Sequence, residues 1–150
     1  MMKIQTKYLG EVQIEETKII RFSSGIPGFF DETAFVLLDL PDNPAFQILQ
    51  SVGSENVAFI VTNPYLIYRD YTFHLEDTIL ENLQIKNEKE VVVLTIVTLK
   101  NPFQMSTLNL KAPIIIHSVS GQGKQYILNH ENYSPKAPIV PDKSTSVKGD

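Results

Sequence analysis

Hydrophobic and polar residues alternate along much of this chain with a period of two, as expected for half-buried β-strands. Near the N-terminus Ile4 and Thr6 fall on one face of such a strand, and Val12 and Ile14 resume the pattern after Gly10. We therefore predict that the chain opens with a pair of strands.

Further strands are predicted wherever β-branched and aromatic runs are bounded by Gly, Pro, Asn or Asp. These runs cover residues 19–22, 35–40, 46–51, 57–62, 71–75, 91–99, 112–116 and 125–128. The run 91–99 is nearly continuous in apolar residues, which indicates a strand buried on both faces. Gly121 and Gly123 suit a hairpin turn that needs positive φ. The spacing predicts an all-β, antiparallel, barrel-like fold.

One segment departs from the β pattern. Ile79, Leu80 and Leu83 recur at helical spacing, and Glu76 and Asp77 precede them, where the helix dipole favours acidic side chains. We predict one short helix over about residues 76–83, covering an open end of the barrel.

The C-terminal segment has a different composition. After Tyr133 the chain contains three prolines and few large side chains, so it lacks the apolar residues of a core. We predict one domain over residues 1–133 and a flexible tail over residues 134–150.

Composition supports a single intracellular domain. The chain has 150 residues, 43% of them hydrophobic, which is enough for one core. It contains no cysteine, which excludes disulfides and thiolate metal sites. The N-terminus lacks the apolar segment of a signal peptide, and no apolar run is long enough to cross a bilayer. We expect a cytoplasmic protein without membrane contact.

The charge is mildly acidic. Thirteen basic and 17 acidic residues give a net charge of −4, and residues 134–150 hold three lysines against two aspartates, which leaves −5 on the body of the chain. An acidic domain repels nucleic-acid phosphates and attracts basic proteins. Direct nucleic-acid binding is therefore disfavoured.

The sequence predicts no catalytic centre, cofactor or metal site. His74, His117 and His130 do not show the spacing of a metal pair. The segment 121–124 (GQGK) lacks the earlier glycine and the Ser or Thr of a phosphate-binding loop, so a hairpin turn is the better interpretation. We expect a non-enzymatic binding protein.

Several segments, taken in order, carry a family resemblance. Residues 25–30 read GIPGFF, which turn chemistry alone would explain as a tight corner. They are followed by FQILQS at 46–51, VAFIVTNPY at 57–65, DYTF at 70–73, NPF at 101–103, STLNLKAPIII at 106–116, GKQ at 123–125 and finally Tyr133. This series resembles the FliW family over about residues 3–133. His117 departs from the pattern, where asparagine is expected.

The resemblance implies a barrel-like flagellar assembly factor, with a chaperone-like role in the bacterial cytoplasm. It implies binding to flagellin and, alternatively, to the RNA-binding translational regulator CsrA. Free of flagellin, such a protein antagonises the repression of flagellin mRNA by CsrA; occupied by flagellin, it leaves CsrA active. The mechanism is an exchange of protein partners.

Candidate partner-binding residues are aromatic side chains on loops, since exposed aromatics often anchor interfaces. The first choice is the loop that begins at Asn63 and Pro64, and the second is Phe46 with the turn at 101–103. The predicted set is Phe46, Asn63, Pro64, Tyr65, Tyr68, Asp70, Tyr71, Asn101, Pro102 and Phe103. Alternatively, Tyr65 and Tyr71 simply cover an end of the barrel.

Two other functions remain open from the residues alone. A small β-barrel ligand-binding protein or enzyme could use residues 25–30 as the rim of a pocket, which requires a deep cavity with convergent polar groups. An oligonucleotide-binding barrel would require basic residues interleaved with aromatics, and only isolated pairs such as Lys7 with Tyr8 occur.

Overall fold

The computed structural model describes residues 1–129 and 132–141. Within these ranges the chain is mostly β-structure with one α-helix, α1 (Asp77–Asn82). The strands are β1 (Met2–Thr6), β2 (Gly10–Ile14), β3 (Ile20–Arg21), β4 (Ala34–Asp39), β5 (Phe46–Ser51), β6 (Ala58–Thr62), β7 (Val91–Thr98), β8 (Thr107–Leu108), β9 (Ile114–His117), β10 (Gln122–Gln125) and β11 (Ala137–Pro138). Single 3₁₀ turns occupy Glu16–Lys18, Pro64–Leu66, Glu88–Glu90 and Phe103–Met105.

Strands β1 and β2 form a separate antiparallel hairpin, as their alternation predicts. Ile4 and Ile14 are buried and pack against Val36 of β4. The backbone N–H of Lys7 donates to Oε1 of the buried Gln50 at 3.0 Å. The hairpin is thus attached to the main sheet by both apolar and polar contacts.

The main sheet closes on itself. Hydrogen-bonded neighbours run β3–β4–β5–β6–β7–β9–β10 and return to β3. The pairings are antiparallel except for β10 with β3, which is parallel and short, at Gln122 opposite Arg21. The β-rich, barrel-like fold with one short helix is therefore confirmed, with this one parallel contact added.

Strands β8 and β9 follow the same edge of β7. Leu108 pairs with Val97, and Ile114 pairs with Leu94. The register shifts by three residues between them, because residues 110–113 pair with no residue of β7 and form a bulge. Tyr71 reaches this bulge and donates its hydroxyl to the carbonyl of Leu110.

The C-terminal segment corrects the sequence prediction of a tail that begins at residue 134. Ala137 and Pro138 form strand β11 on β8, and Ala137 and Ile139 are buried. Proline is tolerated here because β11 is an edge strand. The described chain is therefore attached to the fold up to Ile139, whose N–H donates to the carbonyl of Ser106. Residues 142–150 of the predicted tail lie outside the described residues.

Two large apolar clusters support the sheet. One contains Phe22, Phe35, Leu49, Val61 and Ile114. The other contains Phe46, Ile48, Tyr71, Leu108, Leu110 and Ile139. Helix α1 lies within the predicted range 76–83 and packs Ile79 and Leu83 onto Ile115 of β9.

Four local predictions are wrong. Strand β7 is not buried on both faces, because Val92 is 40% exposed. Residues 71–75 are extended but form no strand, and the strand predicted at 125–128 lies instead at Gln122–Gln125. Gly121 has the predicted positive φ, of 70°, but Gly123 does not. A Cβ atom at Gly123 would lie 2.8 Å from the ring of Phe22, so this glycine is required for packing.

Candidate protein-binding surface

The tyrosine loop, residues 63–71, is held in a fixed conformation. Asn63 caps the 3₁₀ turn Pro64–Leu66 by accepting the N–H of Tyr65 at 2.9 Å. Pro64 is buried at the start of the turn, where its missing N–H has no cost. Asn63 and Pro64 thus shape this loop.

Tyr71 belongs to the core. Its side chain is 4% exposed, and its hydroxyl donates to the carbonyl of Leu110 at 2.6 Å. Its ring lies 4.7 Å from that of Tyr133, 5.3 Å from Phe73 and 5.7 Å from Tyr65, measured between centroids. The expectation of an exposed aromatic at this position is wrong.

The other members of the loop are more accessible. Tyr65 and Asp70 are exposed, whereas Tyr68 is half-buried and donates its hydroxyl to the carbonyl of Pro138. Burial raises the pKa of Tyr65, and the nearby Tyr133 adds to this effect. Burial also raises the pKa of Tyr68. Both groups therefore favour the neutral phenol in the folded chain.

These pKa shifts predict a loss of stability at alkaline pH. Below a pH of about 10 the tyrosines are protonated in both folded and unfolded chains. As the pH rises further the unfolded chain releases its protons first, so the free energy of unfolding falls. In urea unfolding at a series of pH values, the double variant Tyr65→Phe/Tyr68→Phe should show a shallower decline. An identical slope in the variant would contradict the prediction.

The proline loop, residues 99–106, presents an aromatic side chain to solvent. Phe103 is 46% exposed, and its ring packs edge-to-face on Phe46 with centroids 5.9 Å apart. Phe46 itself is 7% exposed and lies in the core, so its predicted exposure is wrong. The buried ring of Phe46 therefore covers the inner side of the Phe103 ring. Ser106 closes the loop by accepting the N–H of Lys100 at 2.9 Å.

Strand β11 joins the two loops. The carbonyl of Pro138 accepts the hydroxyl of Tyr68, while the N–H of Ile139 donates to Ser106 at 2.8 Å. The structure thus brings both groups of sequence-predicted residues to one region of the molecule. Asn101 and Pro102 are exposed there and join through a cis peptide bond.

Exposed apolar side chains mark this region. They are Tyr65, Leu66, Leu99, Phe103, Met105 and Val140, hereafter the apolar loop surface. Sequence reasoning missed Leu66, Leu99, Met105 and Val140. The signal that could have found them is the pair of proline-containing turns, since loops of this kind present side chains at low entropic cost.

The corner at residues 25–30 serves the fold. Gly25 and Gly28 have positive φ, and Ile26 is buried in the core. The N–H of Phe29 donates to the carbonyl of Ile26 at 2.6 Å. Phe29 and Phe30 remain exposed.

A cleft of about 700 Å³ lies between the tyrosine loop and the N-terminal half of β7. Its lining residues are Gln47, Asn63, Tyr65, Thr72, Phe73, Leu75, Glu88 and the four residues from Val91 to Leu94. Residues 25–30 do not line this cleft, which removes the structural basis for treating them as its rim.

His117 is buried in a polar cluster. Its Nε2 lies 3.1 Å from Oε1 of Glu90, and its Nδ1 lies 2.7 Å from Oγ of Ser120. Ser120 also donates to the carbonyl of Leu83 at the end of α1. The cluster therefore links β9, the β9–β10 turn and the helix.

Potential metal ligands are dispersed in the part of the chain that the structure describes: no three His, Asp or Glu side chains there could hold a metal ion together. His130 lies outside the described residues. Among the described helices, none has the length and apolar composition needed to cross a membrane.

The described chain is thus a β-rich protein, with a ring of strands, one short helix and exposed apolar side chains on two of its loops. The family model for the FliW protein matches residues 3–139. The chain belongs to the FliW family.

Individual relatives agree with this assignment. The flagellar assembly factor FliW of Oceanobacillus iheyensis is 49% identical over 138 residues, which cover 92% of this chain and 94% of the relative. The Bacillus subtilis protein of the same name is 46% identical over 138 residues, which cover 92% of this chain and 96% of the relative. A crystal structure of the flagellar assembly factor FliW, 43% identical, superimposes with a TM-score of 0.90 over 95% of this chain and 99% of that one.

Proposed function

We propose that this protein is a non-catalytic, cytoplasmic flagellar assembly factor. In this proposal it binds flagellin and, alternatively, the translational regulator CsrA, whose repression of flagellin mRNA it antagonises. The observation that carries the assembly role is its similarity over nearly its full length to proteins named flagellar assembly factors. The two partners come from the family resemblance.

The apolar loop surface supports protein binding. Phe103 and Met105 are 46% and 65% exposed, and the bonds through β11 fix the loop that carries them. A fixed loop with exposed aromatic and methionine side chains has the composition of an interface core and loses little entropy on binding. We place the partner contact on this surface, which includes Tyr65, with Tyr68, Asp70, Asn101 and Pro102 at its margin.

Charge supports CsrA as one of the partners. The chain carries a net charge of −4, and an RNA-binding regulator needs basic residues. An acidic protein bound beside those residues would attract the regulator and repel RNA phosphates. The net charge thus fits the antagonism that we propose.

Calorimetric titration with flagellin and with CsrA, followed by displacement of one partner by the other, tests the partner exchange. We expect heat of binding with each partner and mutual displacement. Absence of binding to both, by protein shown to be folded, would overturn the proposal. Simultaneous binding without displacement would overturn the exchange mechanism alone.

Phe103→Ser should weaken partner binding about tenfold, equivalent to about 1.4 kcal/mol, because it removes an exposed aromatic anchor. The melting temperature should fall by only about 2–4 °C, since nearly half of the side chain already faces solvent and the substitution removes its edge contact with the Phe46 ring. Val119→Ser is the matched control: Val119 is also exposed and apolar but lies on the turn between β9 and β10. Equal effects of the two substitutions on affinity would contradict the proposed surface.

A further inference from the structure

Strand β7 has one edge that is only partly used. On one side it pairs with β9 from Val91 to Leu94. On the other side β6 pairs with Thr95 and Ile96 only. In the described ranges, no strand lies beside residues 91–94 on this second edge.

The direction of the backbone groups follows from one hydrogen bond. The carbonyl of Ile96 accepts the N–H of Asn109 at 3.0 Å, so Ile96 faces the β8 edge. Backbone groups alternate between the two edges of a strand, so Thr95 and Val93 face the opposite edge. Thr95 meets β6 there, whereas the N–H and carbonyl of Val93 point past the end of β6.

Pro64 explains why β6 stops at this point. The register that places Thr62 opposite Thr95 would place Pro64 opposite Val93. Proline has no N–H to donate to Val93, and the chain turns away at Pro64 into a 3₁₀ helix. The edge at Val93 is therefore left open by the sequence of the neighbouring segment.

The cleft described above lies along this edge. Four consecutive residues of β7, 91–94, line it. Side chains alternate between the faces of a strand, so four consecutive lining residues indicate that the strand edge itself faces the cleft. Tyr65, Phe73 and Leu75 supply apolar walls, and Glu88 is the only charged residue among those lining this cleft.

We propose that this cleft binds an extended peptide segment of another protein, which adds as a strand to the open edge of β7. Backbone bonds to Val93 select an extended conformation, and the apolar walls select alternating apolar side chains. Glu88 selects a lysine or arginine at the end of the segment. This inference goes beyond the proposed function, and a synthetic peptide tests it separately from flagellin and CsrA.

Hydrogen exchange in the free, full-length protein provides the first test. The amides of Val92 and Leu94 face β9, so they should be protected, whereas the amide of Val93 should exchange about tenfold faster or more. A Val93 amide as protected as that of Leu94 would mean that the edge is already covered, by residues 142–150 or by a second copy of the chain, and would overturn the proposal.

The second test uses the peptide Ac-KVTVTVK-NH₂. It carries a lysine at each end, so that one lysine reaches Glu88 whether the peptide adds parallel or antiparallel to β7. Titration with this peptide should shift the nuclear magnetic resonance signal of the Val93 amide and slow the hydrogen exchange of that amide.

Two further peptides are N-methylated, one on the valine amides and the other on the threonine amides. One of them should bind at least fivefold more weakly than the other, because only alternate peptide amides face β7. Equal affinities of the two, or no shift at millimolar peptide, would overturn strand addition.

Substitution of Glu88 tests the charge preference. Glu88→Lys should weaken peptide binding severalfold at low salt, because it places a cation beside the lysine of the peptide. Glu16→Lys is the matched control, since Glu16 is also exposed in a 3₁₀ turn but does not line the cleft. Equal affinities of both variants would refute the proposed role of Glu88.

Discussion

Tyr71→Ala should lower the free energy of unfolding by about 3–5 kcal/mol, the range for large aromatic residues removed from a core. The substitution removes a ring that contacts three other aromatic rings and a hydroxyl that bonds to Leu110. Since small domains are stable by about 5–15 kcal/mol, this is a large fraction of the total. Chemical unfolding of the purified variant measures the loss directly.

Two further variants separate the contributions at this position. Tyr71→Phe keeps the ring and should cost about 1–2 kcal/mol, because the buried carbonyl of Leu110 loses its donor. Thr72→Ala removes an exposed neighbouring side chain and should change stability by less than about 0.5 kcal/mol. Unchanged stability with weakened partner binding in Tyr71→Ala would mean that Tyr71 is an interface anchor rather than a core residue.

The sequence predicted most strands because their signals are local. The strand expected at residues 46–51 occurs as β5 (Phe46–Ser51), and that expected at 91–99 occurs as β7 (Val91–Thr98). Both strands contain β-branched or apolar runs that end at turn residues. Each can therefore be predicted without knowing which strands it pairs with. The closure of the ring through β10 and β3 involves one residue pair and has no such signal.

Residues 71–75 show what alternation does not report. Tyr71, Phe73 and Leu75 turn inward and Thr72 and His74 turn outward, as in a strand. The backbone groups of Thr72, however, bond to the hydroxyl of Tyr133 at 3.0 and 2.8 Å instead of to a neighbouring strand. Alternation predicts which side chains are buried, whereas pairing depends on distant residues.

The C-terminal segment shows a related limit. Its prolines suggested a tail without a core, yet Ala137 and Ile139 alternate into the apolar cluster beside Leu108. Two buried side chains are too few to change the amino-acid composition of this segment noticeably. Exposure within the candidate surface was equally hard to predict: Phe46 and Phe103 are both aromatic and both near turns, and only the fold decides which of them is covered.

Gly25→Ala should destabilise the protein by about 2–5 kcal/mol, through two separate effects. Gly25 has a φ of 66°, which costs a residue with a Cβ atom about 1–2 kcal/mol. A Cβ atom there would also lie 2.6 Å from the backbone Cα and O atoms of Phe30. Because those atoms are backbone, the corner must shift to admit the methyl group, and overpacking of this kind costs about 1–3 kcal/mol.

Gly28→Ala separates these two effects within the same corner. Gly28 also has a positive φ, of 88°, but a Cβ atom there would meet no heavy atom within 4 Å. Only the conformational cost, about 1–2 kcal/mol, should apply. The difference in unfolding free energy between the two variants therefore measures the close approach of Gly25 to Phe30. If Gly25→Ala were no more harmful than Gly28→Ala, the corner would be held by turn conformation alone, and the approach to Phe30 would not require glycine.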